Sequence, residues 1–117
     1  MSDLTVNIKV ATRGDITIIS LYENILASEV NEYFISKVKE ALDAECKKMI
    51  IDMTNVLFIN SLVLGTLSLA HRELLQNGGR LIVSNIGNTK KIFDIAHSSD
   101  VLTIVDTLED AIQKLSN

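Results

Sequence analysis

The spacing of apolar positions changes several times along this chain, and each change marks an element. Leu4, Val6, Ile8 and Val10 alternate with polar neighbours, the two-residue period of a half-buried strand. Arg13, Gly14 and Asp15 supply turn chemistry, and a second strand follows over residues 16–21. That connection is too short for a parallel crossover, so the pair is expected to be an antiparallel hairpin. From Ser28 the period lengthens. Val30, Tyr33, Phe34, Val38, Ala41 and Leu42 recur at helical spacing, predicting a helix to about Glu45 with one apolar face. Ser28 is the expected N-cap, with Glu29 in the favourable first turn.

Residues 47–54 carry a continuous apolar run of strand length, which implies burial on both faces, as in a parallel sheet. A second helix is expected from Ser61 to Gln76 and ends at Gly78 and Gly79. Its first half is apolar nearly all round and its second half is polar apart from Leu74 and Leu75, so one end is sunk and the other surfaces. Residues 80–85 read as another buried strand. Asn88 or Thr89 is expected to cap a short helix that turns Ile92, Phe93 and Ala96 inward. Residues 101–105 read as the last strand. Thr107 and Asp110 form a capping-box pattern before a helix with Leu108, Ala111, Ile112 and Leu115 as its stripe. The predicted order is β-β-α-β-α-β-α-β-α, an α/β fold with a largely parallel sheet and an antiparallel first strand.

Composition narrows the function. At 117 residues with 47% hydrophobic and 22% charged positions, the chain fits one soluble domain, expected as one unit over residues 4–115. A net charge of −4 leaves no basic field for phosphates, which argues against nucleic acid as a partner. The single cysteine, Cys46, has no intramolecular partner and suits a reducing compartment. The N-terminal residues lack a signal-peptide pattern, and no apolar run approaches the roughly 20 residues that span a bilayer. A cytoplasmic protein without membrane contact is the expectation.

Catalytic chemistry finds little support. His71 and His97 sit near polar surface by pattern, without metal-ligand spacing to Cys46 or to a carboxylate. Lys47 and Lys48 beside Cys46 could lower its pKa, but a plain helix-end cysteine is the simpler reading. No phosphate-binding or nucleophile-elbow motif occurs. Asp52 ends the central strand, where a receiver domain holds its phosphoacceptor. The acidic pair and the lysine that a receiver needs have no counterparts at Lys9, Thr12 or residues 103–106. Asp52 is instead expected to cap a turn with Thr54 and Asn55.

The stretch D-M-T-N-V-L-F-I-N-S-L-V-L-G-T-L, residues 52–67, resembles the signature of the STAS domain. That signature, from the bacterial anti-sigma factor antagonists, runs roughly D-L-S-x-V-x-F-(I/D)-D-S-(S/T)-G-L-G-x-L. The likeness continues through N-G-G-R-L-I-V-S-N and K-K-I-F-D-I-A into D-V-L-T-I-V-D-T-L-E-D-A-I, nearly the whole chain, so that residues 1–117 are expected to form one STAS domain. The resemblance implies a mixed, mostly parallel sheet of four or five strands flanked by about four helices. It implies a regulator rather than an enzyme, with no catalytic residue, cofactor or metal. Such a regulator binds an anti-sigma factor that is itself a serine kinase, so releasing the sigma factor. The family's phosphorylated serine corresponds to Ser61, and a phosphoserine phosphatase is an implied second partner.

Ser61 is also expected to be the N-cap of its helix, a role independent of any phosphate. The expected partner-binding residues are Asn24, Leu26, Asn60, Ser61, Leu62 and Val63. Four of them depart from the family pattern. Asn60 replaces the acid before the serine, Leu62 replaces a small residue, Val63 replaces glycine, and Leu26 replaces a second acid. These departures raise an alternative, a STAS module that is never phosphorylated and serves as a constitutive antagonist or a scaffold in a signalling assembly. The remaining alternative is the receiver-like domain phosphorylated at Asp52.

Overall fold

The computed structural model describes residues 8–22, 28–54, 56, 58–97 and 101–116, with residues 28–30 described by their backbone alone. Five strands form one sheet: β1 (Ile8–Arg13), β2 (Ile16–Leu21), β3 (Lys48–Asp52), β4 (Arg80–Ser84) and β5 (Thr103–Val105). Four helices complete the fold: α1 (Ser28–Asp43), α2 (Ser61–Gln76), α3 (Lys90–Ile95) and α4 (Leu108–Ser116). A 3-10 turn, Gly87–Thr89, leads into α3. The sheet order is β1-β2-β3-β4-β5, antiparallel at the first pair and parallel at the other three. The predicted order and the single antiparallel strand are therefore observed.

The sheet carries apolar layers on both faces. Phe34, Val38, Leu67, Leu74 and Phe93, from α1, α2 and α3, pack against Ile19, Met49, Ile51, Leu81 and Val83. On the other face Ala111 and Leu115 of α4 cover Ile16, Ile18, Ile50 and Ile82. Alternate residues of one strand thus serve opposite cores, which is why β3 and β4 read as continuous apolar runs. Each fully buried Ile, Leu or Phe contributes about 1.5–3 kcal/mol of transfer free energy.

Several local expectations are corrected. Val10 alternates as predicted but is 46% exposed, because it lies on an edge strand. Helix α1 ends at Asp43, two residues early. The proposed cap oxygen of Ser28 falls on a side chain outside the described set. Ala96 points to solvent rather than inward, because α3 stops at Ile95. Thr89 precedes α3 without capping it; its hydroxyl donates to the Ile86 carbonyl at 2.6 Å. His71 is half-buried, and its Nδ1 is enclosed without a hydrogen-bond partner among the described residues. The capping box before α4 holds on one side, with the Asp110 amide donating to Thr107 Oγ1 at 3.1 Å.

The end of α2 follows the glycines. Asn77 is the C-cap, Gly78 has φ +79°, and its amide donates to the Leu75 carbonyl at 3.2 Å. The Gly79 amide donates to the Leu74 carbonyl at 2.6 Å, completing a Schellman pattern. Gly79 has a second reason to be glycine: a Cβ there would collide with the backbone carbonyl of Lys47. This anchoring at the foot of α2 and the buried face above it position the opposite end, where Ser61 lies.

Candidate functional site

The loop from β3 to α2 leaves the carboxyl edge of the sheet, held there by one acid. Asp52 is 3% exposed and accepts from Ser84 Oγ at 2.7 Å and from Thr54 Oγ1 at 2.8 Å. Asn85 Nδ2 donates to the same carboxylate oxygen as Ser84. Buried carboxylates persist only when hydrogen-bonded, and here three side chains, Thr54 after β3 and Ser84 and Asn85 at the end of β4, provide that. The expected turn with Thr54 is present; Asn55 lies outside the described residues. Asp52 therefore ties the end of β3 to the end of β4 and anchors the loop to Ser61. A receiver's acid must meet a phosphodonor, whereas both oxygens of this one are committed internally.

Helix α2 begins at Ser61, but Ser61 is not its cap. Asn60 is extended at φ −108° and ψ 175°, and its Oδ1 accepts from the Val63 amide at 3.1 Å. That is the side-chain cap of one of the four unpaired N–H groups. The cap expected at Ser61 thus belongs to its neighbour, and the Ser61 side chain is left exposed at the first helical position. No acidic residue stands in the first turn of α2. The local field at Ser61 comes from the helix N-terminus and favours negative charge.

The site residues separate on burial. Leu62 is 51% exposed, whereas Val63 is 1% exposed. Val63 is thereby corrected from a surface contact to a core residue, in register with Leu67, Ala70 and Leu74 on the buried face of α2. Its bulk fills the core and adds nothing to a docking surface. Asn24 and Leu26 lie outside the described residues.

Three further residues join the surface. Phe58, just before the cap, is 55% exposed, and Leu69 is 57% exposed. Gly65 is exposed one turn below Ser61, and a Cβ built on it would meet nothing within 4 Å. Positions 61, 62, 65 and 69 share one helix face. An exposed mid-helix glycine costs about 1 kcal/mol against alanine. Among the described residues, no packing requires Gly65. The result is an apolar strip with a bare stretch of helix and one hydroxyl at its head. Only relative exposure distinguishes these residues, and the nearly uniform apolar pattern of 62–69 concealed it.

The candidate nucleophile Cys46 is unsuited to reaction. Burial pushes its thiol pKa up, opposed in part by a hydrogen bond with the Thr17 side chain. The neighbouring lysines are engaged elsewhere, Lys48 with Asp15 at 3.1 Å and Lys47 with the Asn77 carbonyl at 2.7 Å. Among the described residues, no helix is long and apolar enough to cross a membrane.

Comparison with known proteins agrees with this architecture. The STAS domain model matches residues 7–111. TM1081 of Thermotoga maritima, assigned as an anti-sigma factor antagonist, superposes with a TM-score of 0.82 at 18% identity, covering 94% of this chain and 95% of that one. An anti-sigma factor antagonist from Mycobacterium paratuberculosis gives 0.83 at 14% identity, covering 99% and 98%. The anti-sigma factor antagonist SpoIIAA in its unphosphorylated form gives 0.71 at 21% identity, covering 94% and 98%. These superpositions establish a common fold, and with the STAS model matching most of its length the chain belongs to the STAS domain family.

Proposed function

We propose that this chain is an anti-sigma factor antagonist that docks on a serine-kinase anti-sigma factor through the head of α2 and is released when Ser61 is phosphorylated. The observation that carries the reading is the position of Ser61. Its side chain is exposed and free of the capping role, between Phe58 and Leu62, which are both more than half exposed. Apolar contact area around an accessible hydroxyl suits a partner that both binds the site and modifies it. SpoIIAA, which shares this fold, is known in unphosphorylated and phosphorylated forms.

The physics of a switch follows. A phosphoserine carries about −1.5 to −2 charges at neutral pH. At the first position of α2 that charge meets unpaired amides and the positive end of the helix dipole, so the fold tolerates it. In an interface built from Phe58, Leu62 and Gly65, the same charge has to be desolvated against apolar surface, which is strongly unfavourable. Binding is therefore broken without unfolding. Asn60, Leu62 and the bare helix at Gly65 complete the contact, and Asn24 and Leu26 are kept as further partner-binding residues. A phosphoserine phosphatase closes the cycle, and the protein itself performs no catalysis in the cytoplasm.

The test is incubation with the kinase-type anti-sigma factor of the same cell and magnesium ATP, followed by residue-level mapping of phosphate. Phosphate on Ser61, absent from Ser61→Ala, is expected. Stable binding without phosphate would support the second reading, a constitutive antagonist or assembly scaffold. One observation favours that reading. Asn60 performs the cap that Asp would perform, but without its charge, and Leu26 removes a second acid.

A further inference from the structure

The sheet has two edges, and they are finished differently. β1 is six residues long and carries exposed Lys9 and Arg13, with Lys9 Nζ 5.7 Å from the centre of the Tyr22 ring. Charge of this kind blunts an edge against added strands. β5 carries no charge in Thr103–Val105, and no described strand pairs with its outer side. Its partners Ile82, Val83 and Ser84 on β4 are fully buried, yet Thr103, Ile104 and Val105 are all partly exposed. Ile104 belongs to the core on the α3 face and Val105 to the core on the α4 face. Both apolar layers therefore stop incomplete at this edge.

Space is present on each side. A groove of about 770 Å³ lies on the α3 side, lined by Ile86, Lys90, Asp94, Leu102, Ile104 and Asp106. A second of about 420 Å³ lies on the α4 side, lined by Ile104, Val105, Asp106, Asp110, Gln113 and Lys114. Strand side chains alternate between faces, so grooves flanking one free edge suit an added strand. At the entry to β5, Val101 is 59% exposed, and Ile95 at the end of α3 is 74% exposed.

We infer that the β5 edge is a second docking surface, which takes an extended, basic segment of another protein as a sixth strand. The charge chooses the occupant. Asp94, Asp106 and Asp110 face these grooves against Lys90 and Lys114, and Lys90 is held by Asp94 at 2.7 Å. Asp106 and Asp110 are left as the dominant charges at the exit of β5. A segment with a short continuous apolar run places side chains on both cores, and basic residues flanking that run meet those acids. A second copy of this chain would bring its own net charge of −4 to an acidic edge, which disfavours self-pairing. The surface involves none of the residues assigned to the Ser61 switch, and its test is independent of that reading.

The probe is a capped peptide of about seven residues, a central run of three valines flanked by lysines, titrated to about 1 mM into the full chain while amide resonances are followed. The expected result is shifts confined to residues 101–106 and the facing residues of α3 and α4. The same peptide with every amide N-methylated, which can donate no hydrogen bond from either edge, is expected not to bind. Asp106→Lys is expected to weaken binding about fivefold. The inference is overturned by an absence of shifts, by equal binding of the N-methylated peptide, or by shifts centred on residues 58–69. A dimer formed through β5 in sedimentation would also overturn it.

Discussion

At the scale of single residues, the division of labour between Asn60 and Ser61 decides how the site works. Asn60 holds the Val63 amide, so Ser61 can change without loosening α2. Asn60→Ala is expected to cost about 1 kcal/mol in urea unfolding, whereas Ser61→Ala costs only a few tenths. Equal losses would return the cap to Ser61. The sequence could not separate the two, because both are good cap residues and only the extended backbone at Asn60 chooses between them. Asp52 shows the same limit. Its bond with Thr54 is local and was legible, but those with Ser84 and Asn85 join positions more than thirty residues apart. Cys46 gives a pH prediction. Its thiol pKa is raised in the folded state by burial, so the unfolded thiol ionises first as pH rises. Stability relative to Cys46→Ser is then full below the ordinary thiol range and declines as pH climbs through it. Urea midpoints at neutral and alkaline pH read this difference, and a flat difference would contradict it.

At the scale of elements, α2 presents one face to the core and the opposite face to solvent, the face proposed to meet a partner. Val63, Leu64, Leu67, Ala70 and Leu74 are buried, while Ser61, Leu62, Gly65 and Leu69 are exposed. Gly65 separates the two demands. Gly65→Ala adds a methyl that meets nothing among the described residues, and is expected to raise stability by about 0.5–1 kcal/mol. The same methyl holds a partner backbone away from the helix and is expected to weaken binding. A variant that is more stable and binds equally well would show that Gly65 has no role at the surface. The bounds of α2 were legible from Ser61 at one end and the glycines at the other. Its orientation was not, because an apolar run of this kind has no polar side to mark solvent. That uniformity hides the burial of Val63 and the exposure of Phe58 and Leu69.

At the scale of the whole molecule, nearly all of the architecture was present in the periodicity. Two-residue spacing, continuous apolar strands and helical stripes predicted nine elements in their observed order, including the antiparallel hairpin at the edge. Edges were the weak point, since period alone does not tell a central strand from a terminal one. Val10 and the half-finished layers at β5 both follow from that. The fold confines the proposed switch to the carboxyl ends of the parallel strands, where the Asp52 network meets the head of α2. A charge added there leaves both apolar layers untouched. The most direct measurement is calorimetric titration of a kinase-type anti-sigma factor from the same cell with unmodified and Ser61-phosphorylated protein, with thermal melting of both forms. The account predicts that phosphorylation weakens binding at least about a hundredfold, close to 3 kcal/mol, while melting temperature changes by no more than about 2 °C. Equal affinity of the two forms, or a phosphorylated protein that no longer folds, would contradict it.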